Sequence, residues 1–212
     1  MPAVSRSSFA RGAAVMSAAS VLVFSAVVAS AGAASADTLI TVKYPVSGST
    51  VIKAANFTLG LGPGKLVSTV DLNTGSLTAN LTLPNATGSF NELGLVPVTA
   101  TTQFINDGPT TGQVDLNTGA VSTTSLITLR IVDLKVAGLD MPVGSSCETS
   151  TPVSVSVASQ PGFSIVKGGN LAGTYTIPQF ANCGLETALI NLTIPGSGNT
   201  ITLTLGKAKR VG

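Results

Sequence analysis

Three stretches of the chain alternate polar and apolar residues without a fault: Ser76-Leu77-Thr78-Ala79-Asn80-Leu81-Thr82-Leu83, Thr200-Ile201-Thr202-Leu203-Thr204-Leu205 and Val153-Ser154-Val155-Ser156-Val157. A period of two sends successive side chains to opposite faces of an extended strand, so each stretch reads as a strand with one packed and one wet face. Thr suits the wet face because its branched Cβ is stiff and tolerates extended backbone. Between such runs stand turn signals: Gly62-Pro63-Gly64, Pro84-Asn85, Asp107-Gly108-Pro109, Gly168-Gly169-Asn170 and Pro195-Gly196-Ser197-Gly198. About ten short strands at this spacing predict an all-β fold, an antiparallel β-sandwich or barrel. Short helices are expected only near Phe90–Leu93 and Leu185–Leu189.

The first residues predict export. Arg6 and Arg11 are the only charges before Asp37, an apolar small-residue run follows from Ala13 to Ala29, and Ala34-Ser35-Ala36 supplies a small-x-small cleavage triplet. Residues 1–36 therefore read as a secretory signal peptide cut between Ala36 and Asp37, and 37–212 as a single secreted β domain, extracellular or loosely held at the cell envelope. The apolar run is too short and too rich in Ala and Ser for a bilayer span, so no transmembrane anchor is expected in the mature chain. Without Arg6 and Arg11, nine basic residues face nine acidic ones. A neutral domain has no field to attract phosphates, which argues against nucleic acid and anionic membrane as partners.

Cys147 and Cys183 are the only cysteines. Behind an export signal an even pair predicts one disulfide. Free thiols or a metal pair are the alternatives, and the latter is weak because the chain has no His.

One six-residue string occurs twice, as Val70-Asp71-Leu72-Asn73-Thr74-Gly75 and Val114-Asp115-Leu116-Asn117-Thr118-Gly119. A calcium loop needs more oxygen ligands and a closing Glu. Hairpin turns, with the Asp or Asn oxygen capping the backbone and Gly at positive φ, are the expected reading.

Catalytic chemistry is hard to assemble from these residues. Without His there is no Ser-His-Asp or Cys-His system. Ser164-Ile165-Val166-Lys167 matches an S-x-x-K string, but it reads as strand, where positions three apart face opposite ways. Gly60–Leu66 falls one residue short of a phosphate loop, with Leu66 where a hydroxyl belongs. Carboxylates alone could hydrolyse glycosides, and Asp133, Asp140, Glu92, Glu148 and Glu186 have no turn role to occupy them. On simple alternation Ile131, Asp133 and Lys135 share a strand face, with Asp133 and Lys135 paired. No catalytic residue, metal ligand or cofactor is assigned, and the chain is expected not to be an enzyme.

Phe90-Asn91-Glu92-Leu93-Gly94-Leu95-Val96-Pro97-Val98 and Thr174-Tyr175-Thr176-Ile177-Pro178-Gln179-Phe180-Ala181-Asn182-Cys183-Gly184, with the Ala-rich leader, resemble small exported β-rich proteins of actinomycete-type bacteria. The resemblance implies location and fold and carries over no functional residue. The first functional reading is a non-enzymatic extracellular or envelope domain acting by binding or as a surface component. Its partner is unknown: an envelope component, a protein or an apolar ligand. The second is a carrier of an apolar small molecule or lipid in a cavity of the fold, and the third is a carboxylate hydrolase. A filled core favours the first, a cavity of several hundred Å³ the second. Carboxyls roughly 5–9.5 Å apart in a groove favour the third.

Overall fold

The computed structural model describes residues 38–92 and 94–211. The expected cleavage point between Ala36 and Asp37 lies outside them. The chain forms β1 (Leu39–Ile52), β2 (Phe57–Asp71), β3 (Ser76–Thr82), β4 (Ala86–Glu92), β5 (Val96–Asn106), β6 (Thr110–Val114), β7 (Val121–Val136), β8 (Leu139–Asp140), β9 (Glu148–Thr149), β10 (Val153–Ser159), β11 (Gly169–Ile177) and β12 (Phe180–Ala181). A 3₁₀ turn over Gly184–Glu186 runs into α1 (Thr187–Thr193), and β13 (Gly196–Leu205) and β14 (Lys209–Arg210) follow. The helix meets the expectation at Leu185–Leu189. The one expected near Phe90–Leu93 is not there: Phe90, Asn91 and Glu92 pair with Val98, Pro97 and Val96 as the end of β4, and Leu93 lies outside the described residues.

Eight of these strands close into an antiparallel barrel in the order β1-β2-β3-β6-β7-β10-β11-β13, with β13 returning to β1. Barrel thus replaces the open choice between sandwich and barrel. The alternating runs are its staves. Leu77, Ala79 and Leu81 of β3, and Val153, Val155 and Val157 of β10, point inward, and the intervening Ser, Thr and Asn point out.

Two bulges reset the pattern. In β1–β2, Val46 pairs with Gly64 and Gly48 with Leu61, so Ser47 faces both Gly62 and Pro63. Gly62-Pro63-Gly64 is therefore a bulge inside a strand of 15 residues, not a turn between strands. In β5–β7, Thr101 pairs with Asp133 and Thr102 with Ile131, leaving Val132 as the extra residue. Ile131 and Leu134 are both buried as a result, and Ile131 no longer shares a face with Asp133.

β7 is 16 residues long and serves two bodies. Its first half is a barrel stave between β6 and β10. Its second half carries β5, and through it β4, outside the ring. A second core gathers there from Val98, Ala100, Ile131, Leu134, Ile177, Phe180 and Ile190. The Cys147–Cys183 disulfide lies in this core, both residues fully buried, directly beside the β9–β12 pair.

Candidate functional site: the barrel interior

An eight-stranded barrel leaves an interior that side chains just fill, or that holds one small ligand. Here the filling is incomplete, and the reason is in the register. Ser68 of β2 pairs with Ala79 of β3, and Ala79 with Thr110 of β6. The Thr110 hydroxyl hydrogen-bonds that of Ser125 on β7 at 2.7 Å. Four adjacent staves therefore offer Ser, Ala, Thr and Ser along one row. The neighbouring row on β6–β7 is Gly112 against Thr123. The five of these residues that line the space reach no further than a second side-chain atom, while Gly112 is absent from the walls and lets the β7 backbone close in against it. Leu66 and Leu81, by contrast, stand opposite each other one row away.

A cavity of about 90 Å³ results, lined mainly by Leu, Val, Ile and Phe side chains, with no charged residue among its walls. It lies between two packed groups. Tyr44, Leu61, Val155, Leu171 and Leu203 belong to the larger. Val70, Leu77, Ala79, Val114 and Val121 form the smaller, beneath the hairpin turns. Leu66 and Phe163 pack against both. This volume is below the several hundred Å³ of a lipid carrier. It is nearer the roughly 150 Å³ engineered apolar cavity that takes up benzene.

The segment from Gln160 to Gly168 covers the end beneath the hairpins. Its Phe163 and Ile165 line the cavity, Tyr44 Oη donates to Ile165 O at 2.7 Å, and Ala208 N donates to Val166 O at 3.0 Å. Ser164 and Gly168 bridge to each other, so the S-x-x-K string is a closed turn and not the strand expected of it.

Among the described residues, the fully buried side-chain polar atoms are partnered with one exception. Thr50 Oγ1 donates to Thr200 O at 2.8 Å and accepts from Tyr175 Oη at 2.6 Å. Burial raises the Tyr175 phenol above its ordinary pKa, the Thr50 hydrogen bond opposing, and burial raises that of Tyr44 as well. Both phenols are neutral donors at physiological pH. Ser68 is 3% exposed, lines the cavity, and its Oγ has no hydrogen-bond partner in the protein. A buried hydroxyl left so costs about 1–3 kcal/mol.

The candidate carboxylates lie elsewhere, and none lines the cavity. Asp140 accepts from Lys135 Nζ at 2.6 Å, and so takes the place expected of Asp133. Asp133 acts on Lys135 only through its charge. Glu148 Oε2 binds Arg130 Nε and Nη2 at 3.0 and 2.7 Å. Glu92 Oε2 accepts from Thr193 Oγ1 at 2.6 Å. Glu186 sits in the 3₁₀ turn before α1.

The repeated string forms two hairpin turns, as its composition predicts. Asp71 Oδ1 accepts from Asn73 N and Oδ2 from Thr74 Oγ1, each at 2.8 Å. Asp115 Oδ1 accepts from Asn117 N at 2.8 Å and from Thr118 N at 3.2 Å. Gly75 and Gly119 each take φ 75°. The turns join β2 to β3 and β6 to β7 side by side, with Val114 N donating to Gly75 O at 2.8 Å.

Ser68, Thr110, Thr123 and Ser125 are the site residues that sequence reasoning missed. The one available signal was loss of alternation in Thr110-Thr111-Gly112-Gln113 and Ser122-Thr123-Thr124-Ser125, runs in which polar residues fall on both faces. No family model, curated protein or solved structure matches the chain.

Proposed function

We propose that this chain is an exported, non-enzymatic binding protein that holds a small apolar molecule inside its barrel. The observation that carries the reading is the apolar cavity of about 90 Å³ inside the barrel, where a filled core would otherwise be. Its size supports a ligand of about one ring or a short chain, on comparison with the engineered benzene-binding cavity. The absence of turnover rests on the chemistry of the walls. Ser and Thr hydroxyls are weak nucleophiles without an adjacent base, and the walls carry none.

Four pairs of outward-facing hydroxyls, two on the barrel and two on β4–β5, are taken up by one another. Thr41 with Thr69, Thr87 with Thr101, Ser89 with Thr99 and Thr124 with Ser156 hydrogen-bond across strands at 2.8–3.0 Å. Export agrees with the disulfide, a bond of oxidising compartments. Among the described residues no helix is long and apolar enough to cross a membrane.

The test is to purify the protein from its native host under non-denaturing conditions, extract it with solvent and weigh what is released. Xenon and toluene titrations followed by the methyl resonances of Leu77, Val155 and Leu203 complement it. A small neutral compound in the extract, or saturable shifts of those methyls, is the expected result. Methyls that respond to neither probe, with a clean extract, would return the reading to a surface component.

A further inference from the structure

The interior site selects its ligand by one uncharged oxygen, we infer, with Ser68 as the group that receives it; this rests on the reading of the barrel as a binding site. Three observations carry the assignment. Ser68 Oγ is the one buried side-chain polar atom without a partner among the described residues. Ser68 stands on the row of small residues that makes the space, next to Ala79, and lines the cavity; its oxygen is closed to water, so a ligand meets it after a turn about the Cα–Cβ bond. Most of the other lining hydroxyls are engaged, Thr50 with Tyr175 and Thr200, Thr110 with Ser125, Tyr44 with Ile165, and Thr123 is only half-buried, so its hydroxyl does not carry the cost that Ser68 does.

A buried Ser hydroxyl both donates and accepts one hydrogen bond readily, so an alcohol, a phenol or a ketone satisfies it. A carboxylate or an ammonium does not fit. The cavity has no charged wall to pair with it, and an unpaired charge in such a place is far costlier than a neutral polar group. The ligand class is thus a compact neutral molecule, apolar over most of its surface, with one hydroxyl or carbonyl oxygen. The ligand's oxygen gives up its hydrogen bonds to water on entry, but the bond it makes also removes a penalty that the unliganded barrel carries, so the polar group adds affinity on balance.

Phenol, toluene and benzoate have nearly one shape and differ at a single substituent. Titrate each into purified wild-type protein and into Ser68→Ala, following the Leu77 and Val155 methyls. Ser68→Ala deletes one atom and keeps the Cβ, so the strand is undisturbed. The expected result is that wild type binds phenol about tenfold more tightly than toluene, the equivalent of one net hydrogen bond. Ser68→Ala should lose that preference while holding toluene unchanged, and benzoate should shift neither protein. If toluene and phenol both bind but Ser68→Ala keeps the preference for phenol, the role of Ser68 is overturned and the binding site stands. If benzoate competes with toluene at similar concentration, the neutral-ligand class is overturned. If none of the three moves the methyls, the interior is no site at all and the reading beneath this one falls with it.

Discussion

Gly75 and Gly119 hold the same place in two copies of one turn and share a φ of 75°, yet their surroundings differ. A Cβ built on Gly75 would collide with the carbonyl oxygen of Val114, while one on Gly119 would meet nothing within 4 Å. The cause is the β3–β6 pairing, which brings the second hairpin against the first and leaves the second one's own tip in solvent. Gly119→Ala should therefore cost about 1 kcal/mol, the backbone penalty of positive φ alone. Gly75→Ala should cost roughly 3 kcal/mol or more, because a backbone atom must also move. Urea denaturation of both variants measures the difference. Equal costs would mean that the two turns are not in contact.

The same turns predict an acid response. Hydrogen bonds from Asn73 and Thr74 lower the Asp71 pKa, and those from Asn117 and Thr118 lower that of Asp115. For a group depressed in the folded state, the contribution is present above the unfolded pKa, near 4, and is lost as pH falls through the folded value. Melting temperature should thus fall on acidification below about pH 4. Asp71→Asn with Asp115→Asn should flatten that limb by lowering the neutral-pH melting temperature toward the acid value. A slope unchanged in the double variant would place the acid sensitivity elsewhere.

Replacing both Cys147 and Cys183 by Ser should lower stability by up to about 4 kcal/mol, from the 36-residue separation they span. The bond lies in the outer core and not in the barrel wall, so toluene uptake by the folded variant should persist. Ellman titration of the unfolded, unreduced wild type should find no thiol. Loss of ligand binding in a folded Cys147→Ser, Cys183→Ser protein would show that the outer core shapes the interior.

The β7 bulge can be tested with two neighbouring substitutions. Ile131 is 1% exposed and Val132 is 42% exposed. Ile131→Ala should cost about 2–5 kcal/mol as a core truncation, and Val132→Ala less than about 0.5 kcal/mol as a surface change. Thermal melts of the pair decide it. A large loss at Val132 would mean that the bulge sits at another residue.

The staves with clean alternation were legible because each has one wet and one packed side. β3, β10 and β13 are such strands, and their interior leucines and valines follow from period two alone. The hairpin turns were legible too, since Asp and Gly at fixed spacing carry their own hydrogen-bond chemistry. Ring closure was not. It depends on β10 meeting β7 while β5 takes another part of the same strand, and nothing local in either sequence records that. The site was illegible for a related reason. Thr110, Thr123 and Ser125 face inward although their type suggests water, and Leu126 faces out, 45% exposed. Hydropathy assigns these faces the wrong way round, because it presumes a filled interior. Ile131 was put on the face of Asp133 because Val132, a single inserted residue, reverses the phase between them, and Asp133 was paired with Lys135 because the β8 strand that brings Asp140 opposite Lys135 leaves no mark in the alternation.

β1 pairs with β13 from Val46 against Leu205 to Val51 against Thr200. The ring therefore cannot shut until chain separated by about 150 residues has met, a contact among the slowest kinds to form. Until then β1 and β11 each present a bare edge with apolar side chains behind it, a template for any other unfinished copy. A chain stopped before Gly196 would keep both edges indefinitely. Such a fragment should aggregate rather than remain as a smaller barrel, and a factor that shields strand edges during synthesis should raise the yield of the complete chain more than one that speeds its collapse.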